Sequence, residues 1–364
     1  MSATVAMVGC GNISAQYLTQ LERLTNLELV AVVDAVPAAA AAVAGRYGVA
    51  VRTFEEVLAD PGIDVVLNLT TPAQHAPLSA EALRAGKHVY QEKPFGVSLA
   101  QARELAQVAA DSGRRLGAAP DTVLGTGIQT ARRAVDDGLV GTPVGATAFM
   151  LCPGHEAWHP NPGFYYLEGG GPLLDMGVYY LTALVTLLGP IQTVAGMGTR
   201  STGVRTVPDG APRAGEELPV EVDTHVAALL RHTSGAVSTL LVSFDTRTSV
   251  LPTIELYGTR GTLAVPDPNR FDGPVGLATE RGGPFAELEV SGGYPDAGRG
   301  VGLSDMVRSI GAGTPHRQSA ELSLHVHEVM EAVLTSAAHD RFVTIDAGCE
   351  RPDAVPYGAS PETC

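Results

Sequence analysis

Residues 4–14 read Thr-Val-Ala-Met-Val-Gly-Cys-Gly-Asn-Ile-Ser. Residues 4–8 suit a buried strand. They run straight into the glycine turn Gly9-Cys10-Gly11, after which Ile13, Tyr17, Leu21 and Leu24 fall on one helical stripe. The same alternation continues outward. A second apolar strand, residues 27–33, stops at Asp34, and Pro37 opens an alanine-rich helix that Gly48 ends. Residues 64–69 form a third apolar run, ending in Thr70-Thr71-Pro72, and a helix from about residue 76 stops at Gly86. Residues 88–91 are a short strand ending in Glu92-Lys93-Pro94. Ser98 caps the next helix, and residues 114–118 add one more strand. Strands alternating with helices at this spacing predict a parallel sheet, and right-handed crossovers make it doubly wound.

The second half reads differently. Strand-like segments at 145–151, 193–199, 224–231, 236–245 and 253–258 are separated by Gly/Pro turns, with helices expected over 177–188 and 319–338. The polar/apolar alternation at 237–244 fits a sheet with one face covered. An α+β domain on a large, mostly antiparallel open sheet follows, giving an α/β chain overall. Residues 201–219, rich in Gly, Pro and charge, are expected to be a surface excursion. Residues 348–364 lack periodicity and are expected to be a loosely ordered tail.

The 364 residues suit two domains. The net charge of −15 repels nucleic acid, and no basic stripe offsets it. No apolar run is long enough to span a bilayer. Cys10, Cys152, Cys349 and Cys364 are scattered, and no leader pattern precedes the first strand, so a cytoplasmic address is expected. Of 24 basic residues only Lys87 and Lys93 are lysines. A lysine retained in an arginine-using chain invites a role that needs a titratable or compact ammonium.

The glycine turn carries chemistry. Gly9 permits the tight turn, and Gly11 lets a diphosphate approach the free N–H groups of Asn12 and Ile13 at the helix N-terminus. Ser14 stands where a third glycine is common. Asp34, 23 residues after Gly11 and at the end of the second strand, is placed to accept hydrogen bonds from ribose hydroxyls. Ala35, Val36 and Pro37 offer no cation for a 2′-phosphate, so the pattern favours NAD over NADP. Ligands of such sheets lie beyond the carboxyl ends of the strands. Thr70, Thr71, Pro72 and His75, and then Glu92 and Lys93, should therefore face the dinucleotide. Lys93 is the candidate catalytic cation, and Lys87 falls on the opposite edge.

These elements resemble the Gfo/Idh/MocA family, that of glucose–fructose oxidoreductase and inositol dehydrogenase. The second half carries its own match, Gly169-Gly170-Gly171-Pro172-Leu173-Leu174-Asp175-Met176-Gly177. The resemblance implies a Rossmann dinucleotide-binding domain over 1–122 and a substrate-binding and oligomerisation domain over 123–347. It also implies a homodimer or homotetramer, and hydride transfer between a nicotinamide and a sugar, polyol or related cyclic alcohol. It allows two alternatives: a glycoside-cleaving enzyme that uses NAD transiently, and a non-catalytic dinucleotide-binding protein.

One departure matters. The family commonly carries a histidine four residues after the aspartate; here that residue is Tyr179, and Thr182 stands where a second acid is usual. The catalytic set becomes Lys93, Asp175 and Tyr179, with the ammonium expected to lower the phenol pKa; alternatively Lys93 itself takes the proton and Tyr179 only positions the substrate. His159 is expected to supply the missing imidazole. Seven of the chain's 19 aromatic residues fall between 149 and 180, among them the sole tryptophan. Trp158, His159 and Tyr165 are placed with Lys93, Asp175 and Tyr179 in the substrate site, because rings stack on the C–H faces of a pyranose. The run His155-Glu156-Ala157-Trp158-His159 also matches a zinc pattern that works only on a helix. Pro153, Gly154, Pro160 and Pro162 flank it, so no metal is expected.

Overall fold

In the computed structural model, which describes residues 2–363, each short apolar run of the first third becomes a parallel strand. The order along the chain is β1 (Ala3–Val8), α1 (Ser14–Leu21), β2 (Leu27–Val33), α2 (Pro37–Tyr47), β3 (Ala50–Val51), α3 (Phe54–Ala59), β4 (Val65–Asn68), α4 (Pro72–Arg84), β5 (His88–Gln91), α5 (Leu99–Ser112) and β6 (Leu116–Ala118). The sheet order is β3-β2-β1-β4-β5-β6, the doubly wound arrangement. Local chemistry sets the helix ends. Pro37 stands at the start of α2 and Gly48 ends it in the left-handed conformation, while Thr53 and Glu56 cap α3 reciprocally and Ser98 caps α5. Strand β4 is buried throughout because both faces of the sheet are covered. One face packs Ala76, Leu83, Leu105 and their neighbours from α4 and α5, and the other packs Tyr17 and Leu21 from α1.

The remaining elements are α6 (Thr126–Asp136), β7 (Pro143–Leu151), α7 (Val178–Leu188), β8 (Ile191–Thr199), β9 (Val204–Thr206), β10 (Glu217–Pro219), β11 (His225–His232), β12 (Val237–Ser243), β13 (Ile254–Gly258), β14 (Thr262–Val265), β15 (Gly276–Ala278), β16 (Ala286–Glu287), α8 (Val301–Ala312), α9 (Ala320–His339) and β17 (Val343–Thr344). Nine strands form one sheet, β16-β15-β14-β13-β7-β12-β11-β8-β17, antiparallel except between β7 and β12. Helix α7 is apolar almost all round and wholly buried, as that composition requires. The opposite sheet face is open, with Met197, Leu229 and Val237 at 73%, 50% and 46% exposure.

Three sequence expectations change. Helix α8 was not foreseen, and it leaves the expected 123–347 unit. Its Leu303, Met306 and Val307 pack beneath β1 with Val5, Met7 and Tyr90. Excursion 201–219 contains the two-stranded ribbon β9–β10, and Val207, Leu218 and Val220 bury into the main core. The tail, expected to be loose, is tied down through its described residues 348–363. Val355 is buried and its N–H donates to Gln129, Arg317 donates to the carbonyls of Asp353 and Ala354, and Glu362 accepts from Thr25. Carbonyl groups and arginines dock this segment, so it needs no apolar period of its own. Cys364 lies outside the described residues. Among the described residues no helix is long and apolar enough to cross a membrane.

Candidate active site

Lys93 follows β5 and Asp175 sits in the widened, π-type turn Leu173–Gly177 that leads into α7. The two lie 82 residues apart in the chain and meet side chain to side chain. Lys93 Nζ donates to Asp175 Oδ1 at 2.7 Å and to the Asp175 main-chain oxygen at 3.0 Å. Such widened turns recur at functional sites because they turn backbone groups out of the regular ladder. The other carboxylate oxygen, Oδ2, lies 3.1 Å from His155 Nε2. The imidazole that reaches Asp175 is that of His155. His159, expected in that role, instead accepts from the Asn161 N–H through Nδ1. Both histidines lie in one irregular loop, where spacing cannot say which ring turns inward.

Electrostatics fix the charge states. Burial alone would depress the Lys93 ammonium, but Asp175, with Tyr179 and Glu92, overrides it and leaves its pKa raised. Burial likewise opposes ionisation of Asp175, yet Lys93 and His155 hold its carboxyl down to about 2. The pair is an ammonium and a carboxylate. Tyr179 is 3% exposed, and burial outweighs the neighbouring cations, so its phenol is raised and not lowered as expected. Its ring lies between two cations, 5.5 Å from Lys93 Nζ and 5.6 Å from Arg299 Cζ. Arg299, which the sequence reading missed, precedes α8 and donates to Gln16 of α1 and to Asn269, each at 3.0 Å. Only the return of α8 to the first domain brings it there, and a linear motif carries no trace of that.

The aromatic loop does gather at this point. Tyr165 and Phe244 meet the His155 ring edge-on at 4.5 and 4.6 Å, and Trp158 at 5.3 Å. Trp158 and Phe164 keep 57% and 44% of their surface open. The three residues of the zinc pattern point to separate partners: His155 to Asp175, Glu156 to Arg205 and Tyr166, and His159 to Asn161.

At the other end of the cleft, Gly9 has φ +99°, and a β-carbon there would lie 2.6 Å from the Leu69 carbonyl oxygen. Glycine is required both for the turn and for its approach to β4. A β-carbon at Gly11 would meet nothing within 4 Å. Gly11 and Asn12 are exposed and Ile13 is half-buried at the start of α1. Ser14, the departure at the third position, is buried and donates to Gly11 O at 2.7 Å. Asp34 accepts from the Cys10 and Val36 N–H groups, each at 2.7 Å. Thr70, Thr71 and Pro72 line the end of β4 and the start of α4, with Thr70 held on Asn68 Oδ1. His75 and Glu92, expected against the ligand, are turned inward. His75 is 1% exposed with its ring between the carbonyls of Thr70 and Pro94. Glu92 accepts from Tyr17 and from the Lys93 N–H. Both hold the walls that Thr70 and Lys93 present.

Residues 3–119 match the oxidoreductase family with an NAD-binding Rossmann fold, and residues 128–264 match the GFO/IDH/MocA C-terminal domain. The chain belongs to the Gfo/Idh/MocA oxidoreductase family. It is 28% identical to the 1,5-anhydro-D-fructose reductase of Ensifer adhaerens over 265 residues, 71% of this chain and 74% of that one. It is 28% identical to the inositol 2-dehydrogenase of Rhizobium meliloti (strain 1021) over 266 residues, 72% and 76%. Among solved structures, an NAD binding oxidoreductase from Klebsiella pneumoniae superposes with a TM-score of 0.80 at 25% identity, covering 95% of this chain and all of that one. This Gfo/Idh/MocA chain is thus an oxidoreductase with an NAD-binding domain. The residues present fit that cofactor. Gly11 leaves the N-terminus of α1 open, Asp34 stands at the end of β2, and residues 35–37 bring no cation.

Proposed function

We propose that this protein moves a hydride between NAD and a secondary hydroxyl or keto carbon of a sugar, polyol or related cyclic alcohol. The observation that carries the reading is the Lys93–Asp175–His155 set, which brings the end of β5, the turn before α7 and the 153–166 loop together. The names of the relatives support the substrate class. NAD would lie with its diphosphate at Gly11, Asn12 and Ile13, its ribose hydroxyls at Asp34, and its nicotinamide end between Thr70, Thr71, Pro72 and Lys93. When bound, NAD accepts the hydride and NADH supplies it.

The chain's own residues handle the proton. Lys93, held as an ammonium by Asp175, donates to the substrate oxygen and stabilises the negative charge that grows there. Asp175 Oδ2 takes the Nε2–H of His155 and fixes that tautomer, which leaves the lone pair on Nδ1. Nδ1 has no protein partner among the described residues, and it takes the hydroxyl proton during oxidation and returns it during reduction. Tyr179 stays a neutral phenol, whose hydroxyl also has no protein hydrogen bond among the described residues, and it orients the substrate. Trp158, Phe164 and Tyr165 receive the C–H face of the ring, and His159 holds its rim. A panel of sugars and polyols with free NAD tests this. Net NADH absorbance with at least one of them is expected. Tight NAD binding with no redox turnover on the panel, or turnover without net NADH, would overturn it.

We further propose a cytoplasmic homodimer or homotetramer that buries the open sheet face. The apolar side chains of Met197, Leu229 and Val237 support the assembly, and the free thiols Cys10, Cys152 and Cys349 support the address.

A further inference from the structure

The loop from Pro153 to Tyr166 carries His155 and the rings that face Asp175, yet it holds only one short helical turn, Gly163–Tyr166. Something outside the loop must hold His155 on the carboxylate. Excursion 201–219 lies behind it, and one guanidinium makes most of the connection. Arg205, on β9, donates through Nε to Glu156 Oε1 at 2.9 Å, through Nη1 to Asp245 Oδ1 at 2.7 Å, and through Nη2 to the Pro153 carbonyl at 2.6 Å. Its Cζ stacks 5.1 Å from the Tyr166 ring centroid, and Tyr166 in turn donates to Glu156 and accepts from the His155 N–H. The residues gripped, Pro153 and Glu156, thus bracket His155. The Arg205 side chain is only 12% exposed, so solvent screens these bonds little. A β-carbon at Gly154 would lie 2.8 Å from Arg205 Nη2, and Gly154 has φ +98°; glycine is what lets the guanidinium reach the loop. Arg213 adds a second tie, to Asn161 Oδ1 at 2.7 Å, and Glu221 N donates to Tyr166 O at 2.8 Å.

We propose that Arg205 is a positioning residue for His155, and that the 201–219 ribbon is a backing plate that sets the shape of the substrate loop. Arg205 touches neither substrate nor cofactor; it acts through Glu156, Pro153 and Tyr166. Three acceptors in three directions need a planar fork, which an ammonium cannot imitate. The inference rests on the proposed function for its kinetic effect but not for its geometry.

The test uses the full chain and two signals that need no turnover. Trp158 is the only tryptophan and lies in this loop, so its quenching by acrylamide reports loop order. The ¹⁵N shift of His155 Nε2 reports its bond to Asp175. Arg205→Met is expected to raise the quenching towards that of a free indole and to move the Nε2 shift towards that of a solvated imidazole. Turnover should fall about a hundredfold, the scale of a misplaced catalytic group, with KM for NAD unchanged. Arg205→Lys should recover little of it. If Arg205→Met does not fold, Glu156→Gln carries the same two readings, expected in the same direction. Both signals unchanged in the folded variant would overturn the proposal, whatever the substrate is. Both signals moved in a protein that oxidises no sugar would support it and overturn the proposed function alone.

Discussion

Lys87 and Lys93 stand at opposite ends of strand β5, and the two ammonium groups have different partners. Lys87 is buried, and its Nζ donates to the main-chain oxygens of Asp60 and Ile63. A single compact ammonium there satisfies two loop carbonyls. Lys87→Met should cost about 2 kcal/mol, the order of leaving such groups unpaired, read from the urea midpoint at unchanged slope. The alternative in which Lys93 itself takes the proton is disfavoured, because Asp175 outweighs burial and keeps the ammonium charged. Lys93→Met should leave NAD affinity nearly intact and lower turnover by at least about a hundredfold. The same loss is expected for His155→Ala, whereas His159→Ala should act mainly on substrate KM. Tyr179 stays protonated well past neutrality, so Tyr179→Phe should leave both limbs of the pH–rate profile in place. A basic limb that vanished in that variant would make the phenol the base.

At the scale of elements, the β1–α1 turn is where backbone geometry leaves least choice. Gly9→Ala meets both a positive φ and the Leu69 carbonyl, and should cost about 2–3 kcal/mol along with NAD affinity. Equilibrium unfolding and cofactor titration of the one variant check both. The helix-capping residues and strand ends of this half were legible because each is a local signal. The ribbon β9–β10 and helix α8 were not, for opposite reasons. The ribbon's composition is that of a loop, and Leu218, with Val207 and Val220 beside the ribbon, is buried by contacts made across the chain. The apolar spacing of α8 is ordinary, and only the packing shows which domain it serves.

Across the whole molecule, acid should loosen the fold. His88, His232 and His327 have their pKa values pushed down to about 4, chiefly by burial. They are neutral when folded and take up protons on unfolding at any pH between about 4 and their ordinary 6.5. Their contribution to stability is therefore intact above 6.5 and is lost as pH falls towards 4. Asp121, raised to about 6 by burial, works the other way between 3.8 and 6, and Glu331, also raised by burial, works with it. His75, His316 and His325 are also held down by burial and add to the three. The thermal midpoint should fall as pH drops from about 7 to 5, and His327→Leu should narrow that difference. The open sheet face is tested separately. Leu229→Glu should shift the sedimentation coefficient to that of a single chain, with the circular dichroism unchanged.

The sequence by itself determined the parallel sheet, the glycine turn, the carboxylate at residue 34 and the lysine at the end of β5. Each is written in neighbouring residues, where steric limits and apolar period act over a few positions; Asp175 was legible only through the family resemblance of residues 169–177. Tertiary structure alone decided which imidazole meets Asp175, that Arg299 flanks Tyr179 and Arg205 grips the loop, and that the tail is held. Those contacts join residues tens to hundreds of positions apart, and a side chain's partner is fixed by the packed backbone that aims it, not by the residues beside it.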